Sequence, residues 1–282
     1  MTGRFRGMTQ VPNLRLNNGV EIPQFGFGVF QVDPDQTAQT VRQAFEAGYR
    51  HIDTAQMYRN EEGVGDAIAD SGLSRSEVFI TTKLNNQNHG FDSAIATLEE
   101  SLKKLRLEYV DLFLIHWPLP HLDRYVQTWK GFEKLLADGK ARSIGVSNFQ
   151  PAHLDRLAKE TDTVPAVNQI ELHPLLTQTE LRKYHAEHGI ATEAWAPIAK
   201  GSILGDATLT GLAEKYGRTP AQVVLRWQVQ VGNIVFPKSV NPARMRENIN
   251  VFDFELTADD LAAVEALNTG QRTGPDPDTF GR

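Results

Sequence analysis

One feature constrains this chain more than any other: short apolar runs alternate with longer amphipathic segments almost to the carboxyl terminus. The runs are "FGF", "RHID", "VFITTK", "VDLFLIH", "RSIGVS", "AVNQI", "ATEAW" and "NIVFPK". Most are continuous stretches of apolar or β-branched residues, which is how strands covered on both faces of a parallel sheet read. Between them, "DSAIATLEESLKKLRL" sets Ile95, Leu98, Leu102 and Leu105 on one stripe and Glu99, Lys103 and Lys104 on another, the spacing of a surface helix. The same spacing recurs in "QTAQTVRQAFEAG", "EEGVGDAIADSG", "DRYVQTWKGFEKLLADG", "QPAHLDRLAKE", "TQTELRKYHAEHG", "TPAQVVLRWQVQ" and "NPARMREN", and Gly48, Gly72, Gly139 and Gly189 stand where left-handed caps end such helices. Each parallel strand–helix–strand step needs a right-handed crossover, and about eight of them close a (β/α)8 TIM barrel, here behind a short N-terminal hairpin, "LRLNNGVEI", turning at Asn18-Gly19.

A chain of 282 residues is ordinary for one such barrel, and no linker divides it, so a single domain over 1–282 is expected. Residues 1–10 are expected to be disordered, with Met8 an alternative start, and 270–282 to form a tail behind a last helix, "TADDLAAVEAL". A doubly wound dinucleotide fold would want G-x-G-x-x-G after its first strand; "GFGVFQ" offers two of those glycines and no helix start. The net charge of −6 gives no general attraction to nucleic acid or anionic membranes, and the absence of Cys excludes thiolate chemistry and cysteine-bound metals. No apolar run approaches ~18 residues and no signal-peptide pattern opens the chain, so a cytoplasmic protein without a membrane partner is expected.

In a barrel the carboxyl ends of all the strands meet at one mouth. Those ends carry Asp53, Lys83, His116, Ser147, Asn148, Gln169, Trp195, Lys238 and Ser239, with Tyr58 in the loop just past Asp53. A phenol is a poor acid near neutrality, but an ammonium ~4 Å away at an effective dielectric of ~20 favours the phenolate by about 4 kcal/mol, roughly 3 pKa units. Lys83 is thus expected to bring Tyr58 into the range of a general acid, Asp53 to supply the charge that lets Lys83 sit in the mouth, and His116 to orient a carbonyl oxygen. Taken singly, a strand-end Asp is usually a turn former, a Lys solvated and a His a satisfied core group; the quartet converges only if the barrel forms.

A second signal is "PKSVNPARMREN". Lys238 and Ser239 close the last strand, Asn241 or Ser239 caps the next helix, and Arg244 lies in its early turns, so cations and free N–H groups converge as an extra phosphate monoester requires. Trp195 offers a flat face, and Ser147, Asn148 and Gln169 offer hydrogen bonds, for a planar ring bearing a carboxamide.

These stretches, together with "GYRHIDTAQMYRNEEGVG", "VDLFLIHWP", "RSIGVSNF" and "VNQIELHP", resemble the signatures of the aldo-keto reductases in order over nearly the whole chain. The likeness is strongest to the bacterial 2,5-diketo-D-gluconate reductases, in "IPQFGFGVFQV" and "ENINVFDFELT". The resemblance implies a catalytic tetrad of Asp53, Tyr58, Lys83 and His116 and an NADPH cofactor. It implies cofactor contacts from Ser147, Asn148, Gln169, Trp195, Ile198, Phe236, Lys238, Ser239, Val240, Arg244, Glu247 and Asn248. Phe30, Trp117, His116 and the segment at Asn85 match the substrate pocket, for a keto sugar acid such as 2,5-diketo-D-gluconate, methylglyoxal or another small carbonyl. A monomer requiring no metal is implied as well. Asn85 stands where many relatives have tryptophan, which implies a more polar or roomier pocket, and "APIAKGSILG" departs from the family's usual loop, putting Lys200 near the pyrophosphate.

Two other classes compete. A barrel hydrolase would use His51, Asp53 and His116 as metal ligands, although no His-x-His pair ends a strand. An NADPH-binding sensor would keep the cofactor site without turnover. Elsewhere His185 and His188 read as a solvated helix face, Glu61 and Glu62 as a helix amino terminus, and His173-Pro174 as a turn.

Overall fold

A computed structural model describes residues 11–281; the disorder expected for residues 1–10 falls outside the described residues. Strands β1 (Asn13–Arg15) and β2 (Glu21–Pro23) pair antiparallel through Leu14 and Ile22, with Gly19 at φ 85 in the turn between them. Eight further strands follow: β3 (Phe27–Gly28), β4 (His51–Asp53), β5 (Phe79–Leu84), β6 (Val110–Ile115), β7 (Ala141–Ser147), β8 (Val167–Glu171), β9 (Ala191–Trp195) and β10 (Ile234–Val235). They form one sheet in sequence order, with every neighbouring pair parallel. A parallel bridge between Phe25 and Val235, with Gly26 N–H donating to Val235 O at 2.8 Å, closes the ring.

Helices α1 (Pro34–Glu46), α2 (Glu61–Asp70), α3 (Phe91–Leu105), α4 (Tyr125–Ala137), α5 (Pro151–Glu160) and α6 (Thr179–Glu187) connect successive strands. Helices α7 (Ala207–Tyr216) and α8 (Pro220–Gln230) both separate β9 from β10, and α9 (Pro242–Ile249) and α10 (Ala258–Glu265) complete the set. The stripe read for α3 is buried at Leu98, Leu102 and Leu105, and Ile95 lies at its edge. The four capping glycines all have positive φ, as that backbone turn requires.

Helix α7 has no counterpart among the amphipathic segments of the sequence. Two threonines and Gly211 weaken its periodicity, yet both its ends are signalled: the Asp206 carboxylate accepts from Thr208 and Leu209 N–H groups, and Gly217 caps it at φ 61.

The apolar interior has two compartments. A large cluster lies between strands and helices, whereas Leu16, Ile22, Phe79, Leu112, Leu114, Val167, Ile234 and Phe236 fill the barrel itself. The hairpin residues Leu16 and Ile22 plug its amino-terminal end, leaving the opposite mouth open to a ligand.

Candidate active site

Strand parity assembles the mouth. Asp53 pairs with Thr81, so Lys83, two residues further along β5, points inward one layer above it. A single helical turn, Gln56–Tyr58, ended by Arg59 in the left-handed region at φ 57, swings Tyr58 back over the strand ends. Lys83 Nζ donates to Asp53 Oδ1 at 2.6 Å, to Thr54 O at 3.0 Å and to the Tyr58 hydroxyl at 3.4 Å. The Tyr58 and His116 rings meet edge-on with centroids 5.8 Å apart. The four expected groups therefore do converge.

The electrostatics differ from the sequence expectation in one respect. Burial raises the Tyr58 phenol above its ordinary value, and Lys83, although it pulls downward, does not overcome it. For Lys83 itself, burial disfavours the ammonium, but Asp53 and Tyr58 outweigh that and hold it above the usual lysine range. The resting site thus holds a protonated phenol backed by a charged ammonium, the starting state for donating a proton. Burial, with Lys83 adding to it, pushes His116 down to about 3, so its imidazole is neutral; Nδ1 is enclosed without a partner.

Beside this quartet, Ser147, Asn148, Gln169 and Trp195 are tied together. Ser147 Oγ and Asn148 N–H both donate to Gln169 O, at 2.8 and 2.9 Å, while Trp195 Nε1 donates to Asn148 Oδ1 at 2.8 Å. Gln169 Nε2 donates to Asp53 Oδ2 at 2.8 Å and to Glu193 Oε2 at 2.9 Å, linking this group to the quartet.

Glu193 is fully buried, and the sequence reading passed over it because it sits inside "ATEAW"; its inward parity with Trp195, two residues on, was the available signal. Burial first, then the charge of Asp53, pushes it up to about 8. A carboxyl bound to its proton more tightly in the folded state loses stability as pH rises from its unfolded value, about 4.5, through about 8, and is level above that. Glu193→Gln should therefore flatten that part of the stability profile and melt above wild type at alkaline pH. Calorimetry between about pH 5 and about pH 9 checks it; parallel curves for the two proteins would exclude such a shift.

Further around the rim, Lys238 and Arg244 are exposed, Val240 is exposed, and Ser239 and Asn248 are buried. Asn241, not Ser239, caps α9: its Oδ1 accepts from Ala243 and Arg244 N–H groups, and Ser239 Oγ accepts from Asn241 N–H at 3.0 Å. Glu247 accepts from Thr219 Oγ1 at 2.9 Å. The Phe236 side chain lies inside the barrel, its ring 4.8 Å from His51, so it faces away from this rim and only its backbone is left to meet a ligand there. Ile198 packs on the outer core in a loop where Ala196, Ala199 and Lys200 all take positive φ, at 49, 48 and 56.

The carboxyl-terminal tail is strapped across the mouth. Glu171 accepts from the Thr273 hydroxyl at 2.8 Å, from Thr273 N–H at 2.5 Å and from Gly274 N–H at 3.2 Å. Lys200 Nζ donates to Thr273 O at 2.8 Å, tying the loop expected near the pyrophosphate to the tail. Gly274 is required by contact, since a Cβ there would fall 2.4 Å from Trp195 Cη2. Phe280 lies against Trp117, centroids 4.3 Å apart, and Phe30, 51 % exposed, sits 5.1 Å from the Tyr58 ring. Asn85 is half-buried, its N–H donating to Gln56 Oε1 at 3.3 Å. None of these tail contacts has a sequence signature beyond the Gly and Pro content of the segment.

Two histidines behave unlike their sequence readings. His51 lies at the opposite end of β4 from the mouth, with Nδ1 on Pro23 O and Nε2 on Thr81 Oγ1, away from His116. His185 is buried rather than solvated, its ring nitrogens 2.9 Å from Asn168 Nδ2 and 2.8 Å from Thr192 Oγ1; only His188 is exposed, stacked on Tyr184. Glu61 does start α2, but its carboxylate also accepts from buried Thr82 Oγ1 at 2.6 Å. Among the described residues no cluster of three or more His, Asp or Glu side chains is placed to hold a metal ion.

The profile of the Aldo/keto reductase family matches residues 24–269. The chain is similar to an aldo-keto reductase of Mycolicibacterium smegmatis, 54 % identical over 95 % of this chain and 98 % of that one. It is similar also to the methylglyoxal reductase DkgA of Escherichia coli (strain K12), 48 % identical over 95 % of this chain and 98 % of that one. Among solved structures, a Gox0644 mutant in complex with NADPH superimposes with a TM-score of 0.93 at 47 % identity, covering 96 % and 99 % of the two chains.

Proposed function

Because the chain belongs to the aldo/keto reductase family and is an NADPH-dependent oxidoreductase that reduces aldehydes or ketones to alcohols, we propose that Tyr58 is its proton donor. The observation that carries this role is the placing of Lys83 Nζ between Asp53 Oδ1 and the Tyr58 hydroxyl. The cofactor supplies the hydride. Tyr58 passes its proton to the carbonyl oxygen as negative charge develops there, and Lys83 stabilises the phenolate left behind. Asp53 keeps Lys83 charged through that change, and neutral His116 donates to the same oxygen without competing for the proton.

The residues present fit NADPH. Ser147, Asn148 and Gln169 can hold a carboxamide and Trp195 can stack on its ring; Lys238, Arg244 and the capped start of α9 suit the extra phosphate monoester, with Ser239, Val240, Glu247 and Asn248 around the adenosine. Replacing both Lys238 and Arg244 by Ala should weaken NADPH binding by about 10- to 100-fold, the scale of hydrogen bonds to charged groups, and leave NADH within about 2-fold. Titration of both cofactors by tryptophan fluorescence checks this; equal losses for the two would remove the phosphate role.

For the substrate we favour a short uncharged dicarbonyl such as methylglyoxal over a keto sugar acid. Phe30 packs against the Tyr58 ring with centroids 5.1 Å apart, Trp117, the residue after His116, packs against Phe280, and the ammonium that touches the Tyr58 hydroxyl, Lys83, is paired with Asp53. A sugar acid needs a free cation for its carboxylate. The similarity to a methylglyoxal reductase supports the same choice. We read the protein further as one barrel domain, monomeric and cytoplasmic; no described helix is long and apolar enough to cross a membrane.

A further inference from the structure

One buried group remains without a task in this chemistry. Glu193 lies fully buried in the barrel, beside Gln169 in the β8–β9 register, and its Oε1 has no hydrogen-bond partner. A carboxyl is among the costliest side chains to place there, and an apolar residue of the same size would fill the volume without that cost.

Its one hydrogen bond suggests what it achieves. The terminal amide of Gln169 has two N–H hydrogens and one carbonyl oxygen. Both hydrogens are committed on the inner side, one to Asp53 Oδ2 at 2.8 Å and the other to Glu193 Oε2 at 2.9 Å. The reverse orientation of the amide would aim its oxygen at the Asp53 carboxylate, which repels it, so this arrangement admits a single orientation. Gln169 Oε1 makes no hydrogen bond among the described residues and is not one of the enclosed, unpartnered atoms. It is left facing the mouth as a hydrogen-bond acceptor. Asn148 Oδ1, by contrast, already accepts from Trp195 Nε1.

We propose that Glu193 is a positioning residue for the cofactor: by taking the second hydrogen of Gln169 Nε2 it locks the amide so that Gln169 Oε1 accepts from the carboxamide N–H2 of the nicotinamide. Asp53 alone does not do this, because one hydrogen bond leaves the amide free to turn about its last torsion. The role needs an acceptor at position 193 and not a negative charge, since a neutral carboxyl or an amide accepts equally well at its carbonyl oxygen. This rests on the assignment of the site to NADPH.

The test is a binding comparison between NADP+ and its 3-acetylpyridine analogue, in which a methyl ketone replaces the carboxamide and the N–H2 donor is gone. Glu193→Leu removes the acceptor at similar volume, and Glu193→Gln retains it. Dissociation constants come from tryptophan fluorescence or calorimetry, with no turnover involved. Wild type and Glu193→Gln should bind NADP+ more tightly than the analogue by about 3- to 10-fold, the worth of one hydrogen bond, and Glu193→Leu should bind the two within about 2-fold. If Glu193→Leu does not fold, Glu193→Ala carries the same comparison. The proposal is overturned if the apolar variant keeps the wild-type preference, if it loses affinity equally for both cofactors, or if Glu193→Gln behaves like Glu193→Leu. Wild type failing to bind NADP+ at all would instead sink the cofactor assignment on which the proposal stands.

Discussion

Tyr58→Phe is expected to lower turnover by about 100-fold or more while leaving NADPH affinity within about 2-fold of wild type. The substitution removes one oxygen atom and keeps the ring, so the edge-on contact with His116 and the packing against Phe30 persist. What disappears is the only hydroxyl that Lys83 Nζ touches among the described residues, at 3.4 Å. Without it, charge developing on the carbonyl oxygen is left with Lys83, held back beside Asp53, and neutral His116, whose imidazole at about 3 is held far from the protonated state. The cofactor groups, from Ser147 to Trp195, make no hydrogen bond to Tyr58 and are left in place. Because burial raises the phenol, wild-type reduction should also be flat with pH across the neutral range and decline only on the alkaline side, as the proton to be donated is lost. Steady-state kinetics alongside a fluorescence titration separates the two effects; a variant that turns over at the wild-type rate removes Tyr58 from the chemistry.

Lys83→Met should destabilise the fold by about 3–5 kcal/mol at neutral pH, the cost of leaving one member of a buried ion pair uncompensated. Lys83 is fully buried and Asp53 nearly so, 2.6 Å apart, and the lone Gln169 N–H cannot replace an ammonium beside Asp53. Against a total stability of about 5–15 kcal/mol that loss is large enough to shift a urea midpoint severely. The double variant Asp53→Asn with Lys83→Met should regain much of it, because no unpaired charge then remains in the barrel. Both lack the ammonium and both should be poor catalysts, so stability and activity separate in this pair. A single variant as stable as wild type would mean that Asp53 is better solvated at the mouth than its burial implies.

Much of the architecture was legible because burial on both faces of a parallel strand leaves a continuous apolar run, and each such run was followed by a stripe of helical period. Asp53, Lys83 and His116 could be placed because barrel topology converts the end of a run into a position at the mouth. What escaped notice escaped for physical reasons. Helix α7 buries a narrow face, Leu209, Leu212 and Ala213, and advertises itself only through Asp206 and Gly217. Phe236 sits one residue past β10 and looks like part of the phosphate segment, but the ring fills the barrel floor beside His51, a destination that depends on where the closing strand turns. His185 followed the polar pattern of its helix, while Asn168 and Thr192, on the strands that flank that helix, made its burial tolerable. The balance between burial and Lys83 at Tyr58 could not be read from residue types, since it depends on how deeply the phenol is seated. The tail was recognisable as irregular, but its attachment to Glu171 needs the fold to bring position 273 back to β8.

The measurement that bears most directly on the central claim is NADPH oxidation by the purified protein with methylglyoxal, followed by nicotinamide absorbance with product analysis and repeated in EDTA. One NADPH consumed for each carbonyl converted to alcohol, at a rate indifferent to EDTA, is the expected result. Saturable NADPH binding with no oxidation across a panel of aldehydes, ketones and keto acids would contradict it and leave a cofactor-binding barrel without reductase chemistry.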